Sequence, residues 1–334
     1  MAKLTRIYNL KVLSNVTNLN LSYNLLTSVD VHDLTNLIFL NLNSNNISNI
    51  DISNLTNLQQ LAVGDNSLTS VDLSNQSGLT SLSIYNNQLT SIDVSNLVNL
   101  STFYIGGNQL TSLDVSGLFL LTVLDASTNQ LTLTSLDISG TTSLDNLILA
   151  NNNLSGSLDL SGRTTLSYID AIGNQLTSVN LTGCTSLRYI YFNANSLTSI
   201  NLSGLTTLEE IYILDNQLTS LNVSGFVNLM YLGANNNQLT SVTLTGCTAL
   251  QQGSFIDNQL TTVDITGLTN YKYADFTNNL LTSAAVDDLL VKWNAFGKLY
   301  GQAALAGTGN AAPGAAGLAA KTSLQGKFWS VSIN

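Results

Sequence analysis

The feature that most constrains this chain is self-similarity at a period of 21 residues. The unit L-x-x-L-x-L-x-x-N-x-L-T-S-x-D-x-S-x-x-x-x is plainest in LQQLAVGDNSLTSVDLSNQSG, residues 58–78. Copies begin at 16, 37, 58, 79, 100, 121, 144, 166, 187, 208, 229, 250 and 271, all 21 residues long except two of 23 and 22. A unit this short cannot bury its own leucines, so it must stack on its neighbours. The L-x-L alternation describes a short strand with one face inward. The chain is therefore expected to form a solenoid of thirteen coils with a parallel β-sheet on one face. No stretch of the repeat has room for a regular helix, which leaves the convex side extended and turn-rich.

One Asn recurs at the turn that follows each strand: Asn24, Asn45, Asn66, Asn87, Asn108, Asn129, Asn152, Asn174, Asn195, Asn216, Asn237, Asn258 and Asn279. Stacked inside, these side chains would satisfy turn backbone groups that burial would otherwise leave unpaired. The alternation in the following L-T-S-V-D-V-S stretch predicts a second short strand.

Three regions follow from the pattern: an N-terminal partial coil over residues 1–15, the solenoid over 16–282, and a C-terminal cap over 283–334. In the cap, Val286, Leu289, Leu290, Trp293 and Phe296 fall at helical spacing, with Ser283 read as N-cap and Gly297 as the stop. A Gly/Ala-rich loop, a short helix opened by Pro313 and running to about Gln325, and a last strand carrying Trp329, Val331 and Ile333 complete it. The N-terminal segment holds no capping helix. Its open edge either pairs with another chain or is protected by Lys3, Arg6 and Lys11.

Only 9% of the residues are charged, and the net charge is −10. Asn, Ser and Thr must cover the surface, and there is no Lys or Arg between Lys11 and Arg163. Nucleic acid and anionic membranes are poor partners for such a face. No apolar run is long enough to span a bilayer or form a secretion signal. Cys184 and Cys247 lie three repeats apart, on the order of 14 Å in a stack spaced at about 4.8 Å, too far for a disulfide; they read as small buried fillers.

The repeats resemble the leucine-rich repeats of bacteria and their viruses, internalin-like surface proteins among them, across residues 16–282. The resemblance implies a curved or nearly straight stack that binds ligands on its sheet face. Residues 310–334, NAAPGAAGLAAKTSLQGKFWSVSIN, look like the ends of some tailed-phage and environmental bacterial repeat proteins. Internalin-like proteins carry a secretion signal, a helical N-terminal cap and a wall anchor. None is visible here, which fits a virion component released by lysis or a chain trimmed of its signal.

The sheet face is set by the second, fourth and sixth residues after each opening Leu. Tyr168, Tyr189, Tyr231 and Tyr273 fall in the second-residue column, Tyr104, Tyr191 and Tyr212 in the fourth, and Tyr85 in the sixth, eight of the twelve tyrosines. Tyr168, Tyr189, Tyr191, Tyr212 and Tyr231 lie in four consecutive coils, with Asp170, Arg188 and Glu210 nearby. Tyrosine offers a flat apolar ring and a hydroxyl at low entropic cost, suited to protein hot spots and to sugar faces. The competing explanation is that aromatic residues favour strands and stabilise a parallel sheet by stacking.

A second column, Asp30, Asp51, Asp72, Asp93, Asp114, Asp137 and Asp159, changes to Asn180, Asn201, Asn222 and Thr243. One carboxylate per coil is a poor calcium site and reads as a solvated face that resists aggregation. His32 is the only histidine, no G-x-S-x-G or H-E-x-x-H occurs, and the glycine-rich residues 307–323 lack the Gly-Lys of a phosphate loop. The expectation is a non-catalytic module without cofactor or metal, binding a protein or glycan at a virion or extracellular surface. Its rival is a structural protein that self-associates through the N-terminal edge into a fibre or layer.

Overall fold

A computed structural model describes residues 3–7 and 10–334. The chain divides into two compact units, Met1–Ser155 and Gly156–Asn334.

The first unit carries seven parallel strands, one per coil: β1 (Asn18–Asn20), β2 (Phe39–Asn41), β3 (Gln60–Ala62), β4 (Ser81–Ser83), β5 (Thr102–Tyr104), β6 (Val123–Asp125) and β7 (Asn146–Ile148). Each is short because only its middle residue points inward. Leu40, Leu61, Leu82, Phe103 and Leu124 are all buried and pair directly with the next coil. The residues before the first coil form a single 3-10 turn, Leu10–Leu13. The Leu4 amide donates to Asn24 Oδ1 (2.8 Å) and the Leu25 amide to the Leu4 carbonyl (2.8 Å).

The second unit continues the repeat with β8 (Tyr168–Asp170), β9 (Tyr189–Tyr191), β10 (Glu210–Tyr212), β11 (Tyr231–Gly233), β12 (Gln252–Ser254) and β13 (Tyr273–Asp275). The cap adds β14 (Gly301–Ala304) and β15 (Trp329–Ser332) in the same parallel order, with helices α1 (Ser283–Ala295) and α2 (Ala315–Gly326). Between Val16 and Leu281 no described residue is helical.

The turns are held by the recurring Asn, which is buried at Asn45 and in every coil from Asn87 to Asn279. Asn216 is representative. Its Oδ1 accepts from the Leu197 amide (2.9 Å), and its Nδ2 donates to the carbonyls of Phe192 (2.9 Å), Ile213 (3.3 Å) and Leu214 (3.0 Å). One amide thus serves a donor and an acceptor of the preceding coil and two acceptors of its own turn. Asn108 repeats the arrangement in the first unit, with Leu89, Ile84, Ile105 and Gly106. Only Asn does this, since the role needs a donor and an acceptor on one short arm.

Three local expectations are corrected, and the reading of the Asp column is refined. The stretch after the Asn is a second strand only in places, as Leu113–Asp114 with Leu136–Asp137, or Ser220–Asn222 with Ser241–Thr243. The residue in the Asp column closes a turn at once: Asp72 Oδ1 accepts from the Ser74 amide (2.9 Å) and Asp137 Oδ1 from Ser139 (2.9 Å), with Asn180 and Asn222 doing the same later. This side-chain capping explains why Asn can replace Asp at that position. The cap's first helix is capped by Thr282, whose hydroxyl accepts from the Ala285 amide, rather than by Ser283. The segment read as a Gly/Ala loop contains β14, which had no β-branched residue to announce it.

Candidate functional site on the sheet face

On the second unit the second-residue column runs Tyr168, Tyr189, Glu210, Tyr231, Gln252, Tyr273, and the fourth runs Asp170, Tyr191, Tyr212, Gly233, Ser254, Asp275. Each member is in register with the next. With strands about 4.8 Å apart, neighbouring rings in these columns must touch. Tyr191 and Tyr212 stack with centroids 5.5 Å apart and planes 6° from parallel. Tyr168 meets Tyr191 at 5.4 Å and Tyr189 at 6.2 Å, both tilted. Four tyrosines therefore form one aromatic surface over three coils.

Two carboxylates orient it. The Tyr189 hydroxyl donates to Glu209 Oε2 (2.9 Å) and the Tyr191 hydroxyl to Glu210 Oε2 (2.8 Å). Arg188 donates to Glu209 Oε1 through Nε (2.9 Å) and Nη2 (2.6 Å), with its guanidinium 5.4 Å from the Tyr189 ring centre. Burial first, then the Glu210 carboxylate, pushes the Tyr191 phenol well above its ordinary range; burial also raises Tyr212, and the Glu209 hydrogen bond raises Tyr189. These phenols stay neutral and present rings and oxygen lone pairs outward.

The partner of Arg188 is Glu209, which the column reading passed over because it falls one residue before the face. Glu210 serves Tyr191 instead. Asp170 accepts from the Ile172 amide (2.9 Å), so it also fixes its own turn. Tyr231 stands outside the stacked group and belongs to a different feature.

Beyond Tyr212 the face drops into a cleft of about 260 Å³. Tyr212 and Asp275 lie at its two ends of the fourth column; Tyr231, Gln252 and Tyr273 form a side; Gly233, Gly253 and Ser254 make the floor, and Gln302 of the cap closes it. The depth comes from missing side chains. A Cβ at Gly233 would lie 2.9 Å from both Tyr212 Cδ1 and Leu214 Cδ1, so glycine is what lets that ring settle. Gly253 occupies an inward position that is Leu, Ile or Phe in most coils, and the gap beneath it is filled by Tyr271, fully buried, whose hydroxyl donates to the Gly253 carbonyl (3.3 Å). A residue larger than glycine at 253 would strike that hydroxyl.

Elsewhere, Cys184 and Cys247 are free and buried, each thiol against a carbonyl one coil back, Leu160 and Val223, at 3.0 Å. Burial raises both thiols, Cys247 to about 11. Among the described residues no helix is long and apolar enough to cross a membrane.

The architecture of short parallel strands, an inward Leu lattice and a recurring, mostly buried Asn at the turn settles the class. The fold is that of a leucine-rich-repeat solenoid. The family model for Leucine Rich repeats (2 copies) matches residues 77–118. The solenoid is similar to the functional domain of InlJ from Listeria monocytogenes, at 27% identity and a TM-score of 0.74, over 85% of this chain and 68% of that one. It is also similar in fold to the internalin InlF from Listeria monocytogenes (23% identity, TM-score 0.60, 83% and 85% covered) and to YopM from Yersinia enterocolitica (22%, 0.65, 84% and 68%). No curated protein matches the chain by sequence. The InlJ domain includes a cysteine ladder; in this solenoid Leu205 and Phe226 separate the two cysteines of the column.

Proposed function

We propose that this leucine-rich-repeat chain is a non-catalytic recognition module, a bacterial-type surface or virion adhesin that binds a protein or glycan through the Tyr-bearing sheet face of its second unit. The observation that carries this reading is the run Tyr168, Tyr189, Tyr191 and Tyr212. Four rings are held in mutual contact with two of their hydroxyls tied down by Glu209 and Glu210. A pre-ordered aromatic surface loses little entropy on binding, which is what concentrates affinity in hot spots. In the first unit the same columns carry small residues such as Ala62, Ser81 and Ser83, so ring stacking is not needed to hold the sheet. Similarity to internalins supports a surface or secreted location.

The test is binding to host-cell surface preparations and a glycan array by the intact chain and by the variant Tyr189→Ala/Tyr191→Ala/Tyr212→Ala. The expected result is loss of binding with an unchanged circular dichroism spectrum, the small residues of the first unit showing that the columns tolerate alanine. Undiminished binding by a folded variant refutes the reading.

Self-association at the N-terminal edge is the second reading. It is favoured by apolar side chains left exposed around the first coil, Val12 at 74% and Tyr23 at 71%, together with Leu4, Leu13 and Leu25. Sedimentation showing monomers at high concentration refutes it.

A further inference from the structure

We infer that the cleft between Tyr212 and Asp275 is a subsite for one neutral pyranose ring of a glycan. The inference rests on the recognition reading above and names its ligand class and place. Three tyrosines, Tyr212, Tyr231 and Tyr273, contribute ring surface, and Tyr273 is 45% exposed. Such rings suit the C–H faces of a sugar, which are apolar while its rim is polar. Besides the hydroxyls of the three tyrosines, the polar side chains at the cleft are the amides of Gln252 and Gln302, the Ser254 hydroxyl and the Asp275 carboxylate. Asp275 uses Oδ1 for the Thr277 amide (2.9 Å), and among the described residues no donor engages its Oδ2.

That set discriminates between ligand chemistries. Two side-chain amides and a hydroxyl each donate and accept, and the free carboxylate oxygen accepts. Vicinal sugar hydroxyls also donate and accept, so each finds a partner. A lysine ammonium only donates and would leave the amide N–H groups unmatched; an anionic ligand would face Asp275 with no basic side chain lining the cleft. The volume, about 260 Å³, falls just under the roughly 300–1,000 Å³ of pockets that enclose drug-sized molecules. It suits a single ring, with the rest of a glycan running over the Tyr191–Tyr212 stack.

The decisive variant is Ser254→Tyr, which fills the cleft from its floor. The fold accepts tyrosine there because the same column holds Tyr104, Tyr191 and Tyr212. Asp275→Asn keeps an oxygen for the Thr277 amide, as Asn180 does for Thr182, and removes the charge. A neutral-glycan array with the full chain, followed by saturation-transfer NMR and calorimetric titration with methyl pyranosides, reads the outcome. Expected are binding to at least one neutral glycan, a loss of tenfold or more in Ser254→Tyr, a smaller loss in Asp275→Asn, and none in Tyr104→Ala of the first unit. No neutral glycan bound by the unaltered chain, or binding unaffected by Ser254→Tyr, overturns the subsite. So does a protein ligand that Ser254→Tyr displaces. If the subsite fails while the triple tyrosine variant still abolishes binding to host material, recognition by the face stands; if that variant also binds normally, both fall.

Discussion

The Asp287 carboxylate and the Gly317 amide are joined by a 3.0 Å hydrogen bond that runs from α1 into the first turn of α2. The same Oδ1 accepts from the Gly314 amide at 2.8 Å. Gly314 is the N-cap of α2 and has no side chain to cap with, so the free N–H groups of that helix are served from its neighbour. An acidic group belongs there because unsatisfied N–H groups and the helix dipole both favour negative charge.

Removing that group is expected to loosen the cap. Asp287→Ala should cost about 1–2 kcal/mol, read as a lower denaturation midpoint. Gly317→Ala should also destabilise, because a Cβ there would strike the Asp287 carboxylate. The two losses should be less than additive in the double variant, since both act on one contact; strict additivity would contradict the assignment.

The Asn column predicts a sharp contrast between buried and exposed amides. Asn216→Ala strands the Leu197 amide, while the Phe192 carbonyl keeps the Asn195 amide as a donor, and an unsatisfied buried group costs about 1–3 kcal/mol. Asn216→Asp should fare no better, as a carboxylate cannot donate. Asn228, exposed and with its side chain bonded, among the described residues, only to the Thr206 carbonyl, should tolerate alanine within about 0.5 kcal/mol. Urea denaturation of the three variants measures this; equal effects at 216 and 228 would be inconsistent with it.

Acid should weaken the fold through the turn carboxylates. Asp264 is held down to about 2, first by the Lys292 hydrogen bond and then by Thr266, and Asp51, Asp72, Asp93, Asp137 and Asp159 are lowered by hydrogen bonds from the serine two residues on. A depressed carboxylate stabilises above its unfolded pKa, about 3.9, and that contribution disappears as pH falls through the folded value. The thermal midpoint should therefore hold above about pH 4 and decline towards pH 2. In Lys292→Met the decline should be shallower, because Asp264 loses its main anchor.

Alkaline titration followed at the phenolate absorbance should divide the tyrosines. Tyr271, fully buried, and Tyr191, held by burial and by Glu210, are both raised far above an ordinary phenol, and should stay silent until the chain unfolds. Tyr191→Phe should remove none of the amplitude seen before unfolding. A loss of early amplitude in that variant would show Tyr191 to be free.

Much of this architecture is legible in the residues because a period-2 strand and a fixed-offset Asn, repeated thirteen times, leave little freedom. The rest depends on relations between coils that no single column displays. Glu209 lies off the face in its own coil yet binds Arg188 and Tyr189 of the coil before. The cleft is made by what Gly233 and Gly253 lack, and it survives only because Tyr271 stands in a leucine's place one coil later. The Asp column reads as a charged surface until its oxygens are seen bonded to backbone amides two residues away, a local competition that side-chain type alone does not reveal. The strand Gly301–Ala304 carries small residues that announce neither helix nor sheet; it is strand because β13 and β15 offer it hydrogen bonds on both sides.

From Asn195 to Asn279 each Asn of the column asks the same thing of the coil behind it: one carbonyl and one amide, at a fixed offset. A coil of this kind does not record its own place in the series. Duplication or deletion of one period by unequal recombination leaves each bond with a matching partner, so coil number can drift in a genome without new stabilising mutations, while the outward columns diversify independently.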